Sequence, residues 1–410
     1  MKRGRVHGIV AVADDLSGAA ETAAAFGIPS RVQLVSDTDV RDAAPADDVV
    51  RVFDLDTRYS RPSVAEAAVR AVLSAHDATR TFVKVDSLLR GNVAAVTRAA
   101  LDVGRGVVFS PALPSADRTV VNGVPLVGSV PLAATQLWQS EDHAPPANVS
   151  SLLSELPVRL VSLGQLRSGA LPAIIDEVRR ESAVVAADAE SPADLAMVAD
   201  AAWSGDEPAV LVGSRGLAEA AAATVGLGAS SAPRERAARI LVVVGSADAA
   251  AHRQFERLSA DLEPTTVHHS PSSLLDGSAG RFRVEGALTA VRISPDERIA
   301  PHASHELADR FAASVANALD AVDLSELTIV LIGGETARLL LDRLGVRHVD
   351  VRGTDGGGIV FGVASTGYGG RIRIVTRPGS FGDDDQLSTL VRSIAPIPNP
   401  SSSAREGESA

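Results

Sequence analysis

Residues 8–27 read GIVAVADDLSGAAETAAAFG. The run of Gly, Ile, Val and Ala that ends at Ala13 predicts a strand buried on both faces, over residues 8–15. The alanine-rich segment at 18–27, which closes with a glycine, predicts a helix. A buried strand that leads directly into a helix begins a βαβ unit, so this stretch favours an α/β fold with a parallel sheet.

The rest of the chain repeats this alternation. Further strands are predicted at 30–36, 49–57, 80–86, 106–111, 158–163, 183–188, 209–214, 240–245, 328–332, 359–363 and 372–376. Further helices are predicted at 62–76, 92–104, 249–262, 304–322, 335–345 and 384–394. The sequence therefore predicts two α/β domains with mostly parallel sheets and an active site in the cleft between them.

A change of composition separates the two domains. Residues 229–236 read ASSAPRER, which is typical of a linker, and we place the linker at 229–239. The domains then cover residues 1–228 and 240–395. The segment 396–410 is rich in Pro, Ser, Gly and Glu and is expected to be a disordered tail.

The bulk composition excludes several functional classes. Of the 410 residues, 45% are hydrophobic and 22% are charged, as in globular proteins, and the formal net charge of −12 argues against a nucleic-acid partner. There are no cysteines, which excludes thiolate chemistry and fits a cytoplasmic location. No apolar run approaches the ~20 residues of a membrane span, so no membrane partner is expected.

Two carboxylates, Asp14 and Asp15, stand where the first strand ends and the first helix begins. Ligands of open α/β sheets bind outside the carboxyl ends of the strands. Carboxylates there suit hydroxyl groups better than phosphate, since a phosphate would be repelled. The alternative is that Asp15 or Ser17 only caps the helix. The motif alone leaves both interpretations open.

A second polar cluster follows the strand predicted at 80–86, where residues 84–92 read KVDSLLRGN. Only two of the 39 lysines and arginines are lysine, so Lys84 is an informative residue. With Arg90 it can hold a carboxylate, and Asp86 can accept a hydroxyl proton. The alternative is a helix-capping serine beside a surface ion pair. Arg58 follows another strand at the same edge, and Arg118 is a further candidate cation.

The C-terminal half carries three glycine turns after predicted strands. They begin at Gly245, Gly333 and Pro378. Glycines let backbone N–H groups approach phosphate oxygens, so three such turns predict a nucleotide site. Neither a Walker A sequence nor a G-x-G-x-x-G fingerprint after the first strand is present.

Together these motifs resemble the four-carbon acid sugar kinase family, whose members use ATP to phosphorylate threonate, erythronate or their 3-oxo forms at O4. Residues 13–19 are similar to the family's ADDLTGA signature, residues 84–92 to its KxDSTLRGN block, and residues 111–123 to its proline-rich loop. The segments 213–218, 245–246, 333–337 and 378–383 have counterparts in the same order. The resemblance covers roughly residues 10–390.

The resemblance implies that the N-terminal domain binds the acid sugar and the C-terminal domain binds ATP, which in this chemistry carries Mg²⁺. The implied substrate-binding residues are Asp14, Asp15, Arg58, Lys84, Asp86, Ser87, Leu88, Leu89 and Arg90. The implied ATP-binding residues are Ser246, Gly333, Gly334, Glu335, Thr336 and Gly379. Asp86 is our first candidate to accept the hydroxyl proton and Asp15 the second. No metal-ligating residue is assigned, and homodimer formation is left open.

The chain departs from the family pattern at several positions. Leu88 replaces a threonine, Glu335 replaces an aspartate, and Arg377 replaces a lysine. Residues 247–249 lack the usual hydroxyl side chains. These changes leave two alternatives to the kinase open. One is a sensor that binds acid sugars without turnover, and the other is a nucleotide-dependent dehydrogenase, which the missing glycine fingerprint disfavours.

Overall fold

The computed structural model describes residues 8–27, 29–35, 50–76, 78–103, 105–138, 141, 143–232, 235–297, 299–300, 303–320 and 322–395. Its strands are β1 Ile9–Ala13, β2 Ser30–Leu34, β3 Val50–Asp54, β4 Arg80–Lys84, β5 Val107–Ser110, β6 Arg118–Val121, β7 Val124–Val127, β8 Val130–Pro131, β9 Val158–Val161, β10 Val184–Ala187, β11 Val210–Gly213, β12 Arg239–Val244, β13 Thr265–His269, β14 Leu288–Ile293, β15 Leu327–Ile332, β16 His348–Thr354, β17 Val360–Ser365 and β18 Arg371–Arg377.

The helices alternate with these strands along most of the chain. They are α1 Leu16–Phe26, α2 Pro62–Ala75, α3 Val93–Leu101, α4 Val149–Leu152, α5 Leu163–Arg167, α6 Leu171–Arg180, α7 Pro192–Trp203, α8 Arg215–Thr224, α9 Ala249–Leu262, α10 Pro271–Leu275, α11 Ser304–Leu319, α12 Gly334–Arg343 and α13 Gln386–Ile394. Among the helices within these ranges, none combines the length and apolar character needed to cross a membrane.

One sheet of fifteen described strands runs through the molecule in the order β13-β14-β12-β15-β18-β17-β16-β2-β3-β1-β4-β11-β5-β10-β9. The strands from β2 to β9 in this order pair in parallel, and so do those from β13 to β18. Between the two sets lie β17 and β16, and β16 pairs with β2 in antiparallel register. The predicted α/β class with a mostly parallel sheet is confirmed, and the two domains share that sheet.

The domain boundaries stay predictions, but parts of the predicted linker are placed. Ser231 forms a β-bridge with Thr354, and Ala237 N–H donates to the carbonyl of Ile394, so both positions contact the C-terminal half. The last linker residue, Arg239, already belongs to β12. The predicted disordered tail at 396–410 lies outside the described residues.

Helix α1 lies at the centre of the molecule, and all eleven of its residues are buried. It packs against β16, β17, α8 and α12 as well as its own strands, and so joins elements of both halves. Its alanines allow this close packing because they present little side-chain volume. At its C-terminal end, Phe26 stacks on Trp203 with 6.0 Å between ring centroids.

Several elements differ from the prediction. The turn predicted near Asn122 and Gly123 is confirmed: both residues have positive φ and join β6 to β7 as an antiparallel hairpin. Strands β13, β14 and β16 were missed. β13 (TTVHH) is mostly exposed at a sheet edge and therefore lacks the apolar run of a central strand. β16 alternates buried and partly exposed residues, with an irregular register near Gly353.

Candidate active site

The carboxyl ends of β1 and β3 meet in an ion-pair cluster. Arg58 donates from Nε and Nη2 to the two carboxylate oxygens of Asp14, at 2.9 and 2.8 Å, and from Nη1 to Asp15 Oδ2 at 2.8 Å. Burial, together with the neighbouring Asp15 charge, raises the pKa of Asp14 although Arg58 opposes the shift. The Asp14 and Asp15 charges raise the pKa of Arg58 well above its usual value despite burial. Arg58 therefore fixes the aspartate pair.

Asp15 also caps helix α1. Its Oδ1 accepts a hydrogen bond from Gly18 N–H at 2.8 Å, while its Oδ2 bonds to Arg58. The cap alternative raised by the sequence is therefore present, but it occupies only one carboxylate oxygen. The Ser17 hydroxyl is buried and has no hydrogen-bond partner.

The loop that carries Arg58 is held by the end of the KVDSLLRGN segment. The Asn92 side-chain amide donates to the carbonyl oxygens of Thr57 at 2.8 Å and Ser60 at 2.9 Å. Gly91 has φ +79°, and a Cβ there would lie 3.0 Å from Arg58 Cγ and 3.2 Å from Asp14 Oδ2. Gly91 and Asn92 thus position Arg58, a role that sequence reasoning did not assign to them.

A second carboxylate–guanidinium pair follows β4. Arg90 donates from Nε to Asp86 Oδ2 at 2.6 Å and from Nη2 to Oδ1 at 3.2 Å. Burial alone would raise the pKa of Asp86, but the charges of Arg90, Arg58 and Arg118 outweigh it and hold this pKa far below its usual value. Asp86 is therefore a fixed anion.

The two leucines of this segment are buried. The Leu88 carbonyl accepts a hydrogen bond from Trp138 Nε1 at 2.8 Å, while the Leu88 side chain lies in the core. Leu89 closes the turn with a hydrogen bond to the Asp86 carbonyl and has φ +63°, a strained conformation for a non-glycine residue. Because their side chains are buried, we expect these two positions to contact a ligand only through the backbone.

The three glycine turns of the C-terminal half lie side by side, since β12, β15 and β18 are neighbours in the sheet. A Cβ on Gly245 would overlap the Thr336 side chain, and a Cβ on Gly379 would overlap the Ser246 hydroxyl. Gly333 has φ +108°, and a Cβ there would lie 3.2 Å from Ser246 N. The residues assigned to ATP by resemblance are thus brought together in a crowded set of backbone turns.

The two halves meet at this point. A Cβ on Gly334, at the start of α12, would lie 2.5 Å from Asp15 Oδ2 and 3.1 Å from Ser17 Oγ. The guanidinium carbon of Arg118 lies 4.9 Å from the ring centroid of Phe381, which belongs to the third glycine turn. The carboxylates after β1 and the glycine turns of the C-terminal half are therefore in direct contact.

Two departures from the family pattern have structural partners. The Glu335 carboxylate accepts a hydrogen bond from His305 Nδ1 at 2.7 Å, and this bond raises the pKa of His305. Arg377 is fully buried, which lowers its pKa to about 10, and it donates to the carbonyl oxygens of Pro378 and Phe381. Arg377 thus holds the third glycine turn in place.

A magnesium ion would have few protein ligands here. Within the described ranges, no group of three or more His, Asp or Glu side chains is arranged to hold a metal. In kinase sites Mg²⁺ is typically held by substrate phosphates and one or two carboxylates. Asp15 Oδ2 lies against Gly334, so the Asp15 carboxylate is the one that would contribute a ligand to an ion that arrives with the nucleotide.

Comparisons with known proteins match both halves. The family model for a sugar-binding N-terminal domain matches residues 9–221, and that for a nucleotide-binding C-terminal domain matches residues 241–387. A D-threonate kinase of Cupriavidus necator is 30% identical over 407 residues, covering 92% of this chain and 95% of that protein. The chain belongs to the four-carbon acid sugar kinase family. A second family member, a 3-oxo-tetronate kinase of Methylobacterium radiotolerans, is 28% identical over 82% of this chain and 87% of that protein.

Solved structures share the family fold. A Haemophilus influenzae protein aligns with a TM-score of 0.64 over 94% of this chain and 99% of that chain, at 19% identity. A protein of Salmonella typhimurium described as a putative tRNA synthase aligns with a TM-score of 0.71 over 94% and 98%, also at 19% identity. At this identity the likeness supports the fold alone.

The family assignment confirms the predicted resemblance and the kinase class. The roles of the individual site residues, the ATP and Mg²⁺ requirement, the cytoplasmic location and homodimer formation stay predictions. Sequence reasoning missed Glu21, a buried carboxylate of α1, because charges on helices usually mark a solvated face. It also gave no role to Arg215, although this residue lies in the quoted segment 213–218.

Proposed function

We propose that the chain transfers the γ-phosphoryl group of ATP to the 4-hydroxyl of a four-carbon acid sugar: threonate, erythronate or a 3-oxo-tetronate. The observation that carries the proposal is the approach of Gly334 to Asp15, which joins the glycine turns to the carboxylate cluster. The names of the relatives support this substrate class. A nucleotide bound on the turns would present its terminal phosphate to the carboxylate side.

The substrate carboxylate needs a cation whose charge is not already matched. Arg58 and Arg90 are committed to aspartates. Lys84 is buried; its Nζ lies 3.8 Å from Glu21 Oε2 and donates to the Val85 carbonyl at 3.2 Å, and among the described residues it makes no hydrogen bond to a carboxylate. We therefore assign Lys84 to the substrate carboxylate, while the aspartates can accept hydrogen bonds from the hydroxyl groups of the acid.

The proton of the 4-hydroxyl passes to a carboxylate. Two observations support Asp15 as the acceptor: it lies against the glycine turn, and the first candidate, Asp86, is a weak base because of its lowered pKa. We propose that Asp86 orients the hydroxyl as a fixed anion and that Asp15 accepts the proton, which reverses the order expected from the sequence. Mg²⁺ bound with ATP would neutralise charge on the phosphates.

The test is ADP release by the purified full chain with ATP and Mg²⁺ across D- and L-threonate, D- and L-erythronate and the 3-oxo-tetronates. We expect at least one acid to stimulate ADP formation, and Asp15→Asn to lower kcat by about 10²-fold or more. Asp276→Asn, at an exposed position far along the chain, serves as the control. Tight binding of an acid without ADP formation would favour the sensor, and binding of NAD would favour the dehydrogenase.

A further inference from the structure

A group of buried cations lies between the two halves and is not used by the carboxylate pairs described above. It consists of Lys84, Arg118 and Arg215, which lie near the buried carboxylate of Glu21, and Arg215 Nε is also 3.6 Å from the exposed carboxylate of Glu219. Glu21 lies 3.8 Å from Lys84 Nζ and 4.0 Å from Arg215 Nε, too far for hydrogen bonds. Glu21 Oε1 and Arg215 Nε are both buried without a hydrogen-bond partner.

Arg118 is the least compensated of the three. Its side chain is buried, and among the described residues no carboxylate lies within ion-pair distance of it. It donates from Nη1 to Ser87 Oγ at 2.6 Å, which connects it to the substrate-side segment after β4. Burial lowers its pKa by more than the nearby charge of Asp86 raises it, so the buried cation is only partly compensated.

Phe381 joins this group to the nucleotide side. The guanidinium carbons of Arg118 and Arg215 lie 4.9 and 5.8 Å from its ring centroid. Phe381 is two residues beyond Gly379, in the third glycine turn, and its carbonyl oxygen accepts a hydrogen bond from Arg377 Nη2. Arg118 is therefore held between Ser87 and the turn assigned to ATP, and Arg215, which donates to Ser115 Oγ at 3.2 Å, contacts the same ring.

The incompletely paired charges of Arg118 and Arg215 favour the binding of an anion. A buried charge without a partner is costly, and a cation–π contact offsets only part of that cost. Lys84 and Arg215 face the carboxylates of Glu21 and Glu219 at 3.6 to 4.0 Å, beyond hydrogen-bonding distance. With Arg118 the cations outnumber these two carboxylates, so one positive charge stays in excess, and Glu21 Oε1 and Arg215 Nε have no hydrogen-bond partner. A group with several anionic oxygens would satisfy both guanidinium groups bidentately.

We propose that Arg118 and Arg215, held on Phe381, bind the γ-phosphoryl group of ATP as it is transferred. This inference rests on the proposed kinase function and adds the residues that stabilise the transferring group. The 4-hydroxyl oxygen forms a bond to the γ-phosphorus, and the bond from that phosphorus to the β,γ-bridging oxygen breaks. The electron pair of the broken bond leaves with ADP, and the hydroxyl proton passes to Asp15. The two arginines neutralise the oxygens of the phosphoryl group throughout.

The first experiment measures turnover by Arg118→Gln and Arg215→Gln with the acid that the wild type accepts. We expect each variant to lower kcat by about 10²–10³-fold, which is the usual effect of losing one donor to the transition state. The Kd for ADP and the KM for the acid should stay within about threefold of the wild-type values. Phe381→Leu keeps both charges and removes the ring, and it should lower kcat by about tenfold with normal ADP binding. Arg257→Gln, on the exposed face of α9, should leave all parameters unchanged.

The second experiment needs no acid sugar. Calorimetry compares the affinity for ADP with that for the β,γ-imido analogue of ATP, which carries the γ-phosphoryl group. The wild type should prefer the analogue by about tenfold or more, and Arg215→Gln and Phe381→Leu should reduce this preference to less than threefold. A preference that these variants leave intact, or its absence in the wild type, would overturn the inference.

The two experiments separate this inference from the proposed function. If none of the four-carbon acids stimulates ADP formation by the wild type, the proposed function fails. The preference for the ATP analogue over ADP still decides the inference. If an acid is phosphorylated but Arg215→Gln keeps kcat within threefold of the wild type, the kinase function stands and the inference fails.

Discussion

Gly334, the first residue of α12, lies so close to Asp15 that a Cβ on it would be 2.5 Å from the Asp15 carboxylate oxygen Oδ2. This approach joins the end of β15, in the nucleotide-binding half, to the end of β1, in the sugar-binding half. The aspartate is also fixed by Arg58 and by the α1 N-terminus, so it has little freedom to move away. The juxtaposition of the two sites therefore depends on a glycine at position 334.

Replacement of this glycine should separate the two sides of the site. We expect Gly334→Ala to lower kcat by about tenfold to 10²-fold, since a displacement of about 1 Å at the reacting groups has effects of that size. Gly280→Ala is the matched control, because a Cβ at position 280 would meet no atom within 4 Å. Steady-state kinetics with ATP and the preferred acid provide the measurement, and equal kcat values for the two variants would contradict the proposed contact.

Asn92 should affect the acid sugar and not the nucleotide. Asn92→Ala removes the three hydrogen bonds from the Asn92 amide to the carbonyl oxygens of the Thr57–Ser60 loop, so Arg58 loses its fixed position. We expect the KM for the acid to rise by about tenfold and the KM for ATP to change less than twofold. Asn148→Ala, which removes an exposed cap of α4, should leave both values unchanged. A rise confined to the KM for ATP would mean that the loop serves the other ligand.

A buried ion pair joins the two halves at a second place. Arg338 of α12 donates to Asp54 Oδ2 at 2.9 Å, and both side chains are almost fully buried. Arg338→Met leaves the aspartate without its partner, so we expect a loss of about 3–5 kcal/mol in the free energy of unfolding. Arg310→Met, which breaks an exposed pair within α11, should cost less than about 0.5 kcal/mol.

The pH dependence of this loss follows from Asp54. Burial raises its pKa to about 7 in the wild type, and removal of Arg338 raises it further. A raised folded pKa means that stability is lost as the pH rises through that pKa. The difference between wild type and Arg338→Met should therefore grow as the pH rises above 7, as measured by urea unfolding at pH 6 and pH 9. A constant difference would mean that Asp54 keeps one charge state throughout.

Asp86 should show the opposite behaviour. Its pKa is depressed below the ordinary value of 3.8, mainly by Arg90 acting against burial. The stabilisation it provides is therefore complete above that value and is lost as the pH falls below it. We expect the wild type to lose more stability than Asp86→Asn when acidified below about pH 4. Above pH 5, kcat/KM of the variant should be lower at every pH without a shift in either limb of the profile.

The sequence predicted the central strands of the sheet and the polar clusters at the carboxyl ends of those strands. Val, Ile and Ala runs marked the buried strands, and Asp14, Arg58 and Lys84 follow three of them, so they meet at the carboxyl ends. Edge strands such as β13 were not predicted, because exposure on one side removes the continuous apolar pattern.

Partnerships between distant residues could not be predicted. Arg58 was expected to bind the substrate carboxylate, whereas its three donor nitrogens are committed to Asp14 and Asp15. The contact between Arg118 and Phe381 depends on how the two halves meet, and no local pattern encodes that arrangement. From the sequence, Leu88 was interpreted as the loss of a threonine hydroxyl on the substrate side. In the structure its side chain belongs to the hydrophobic core.

The central claim is that the two halves together transfer phosphate to a four-carbon acid. The most direct measurement is ³¹P NMR of a reaction that contains the full chain, ATP, Mg²⁺ and the acid that best stimulates ADP release. We predict a phosphomonoester signal that grows in equal amount to ADP and couples to the C4 protons, and that grows more slowly with Asp15→Asn by about 10²-fold or more. ADP that accumulates with inorganic phosphate and without a phosphomonoester would contradict the claim.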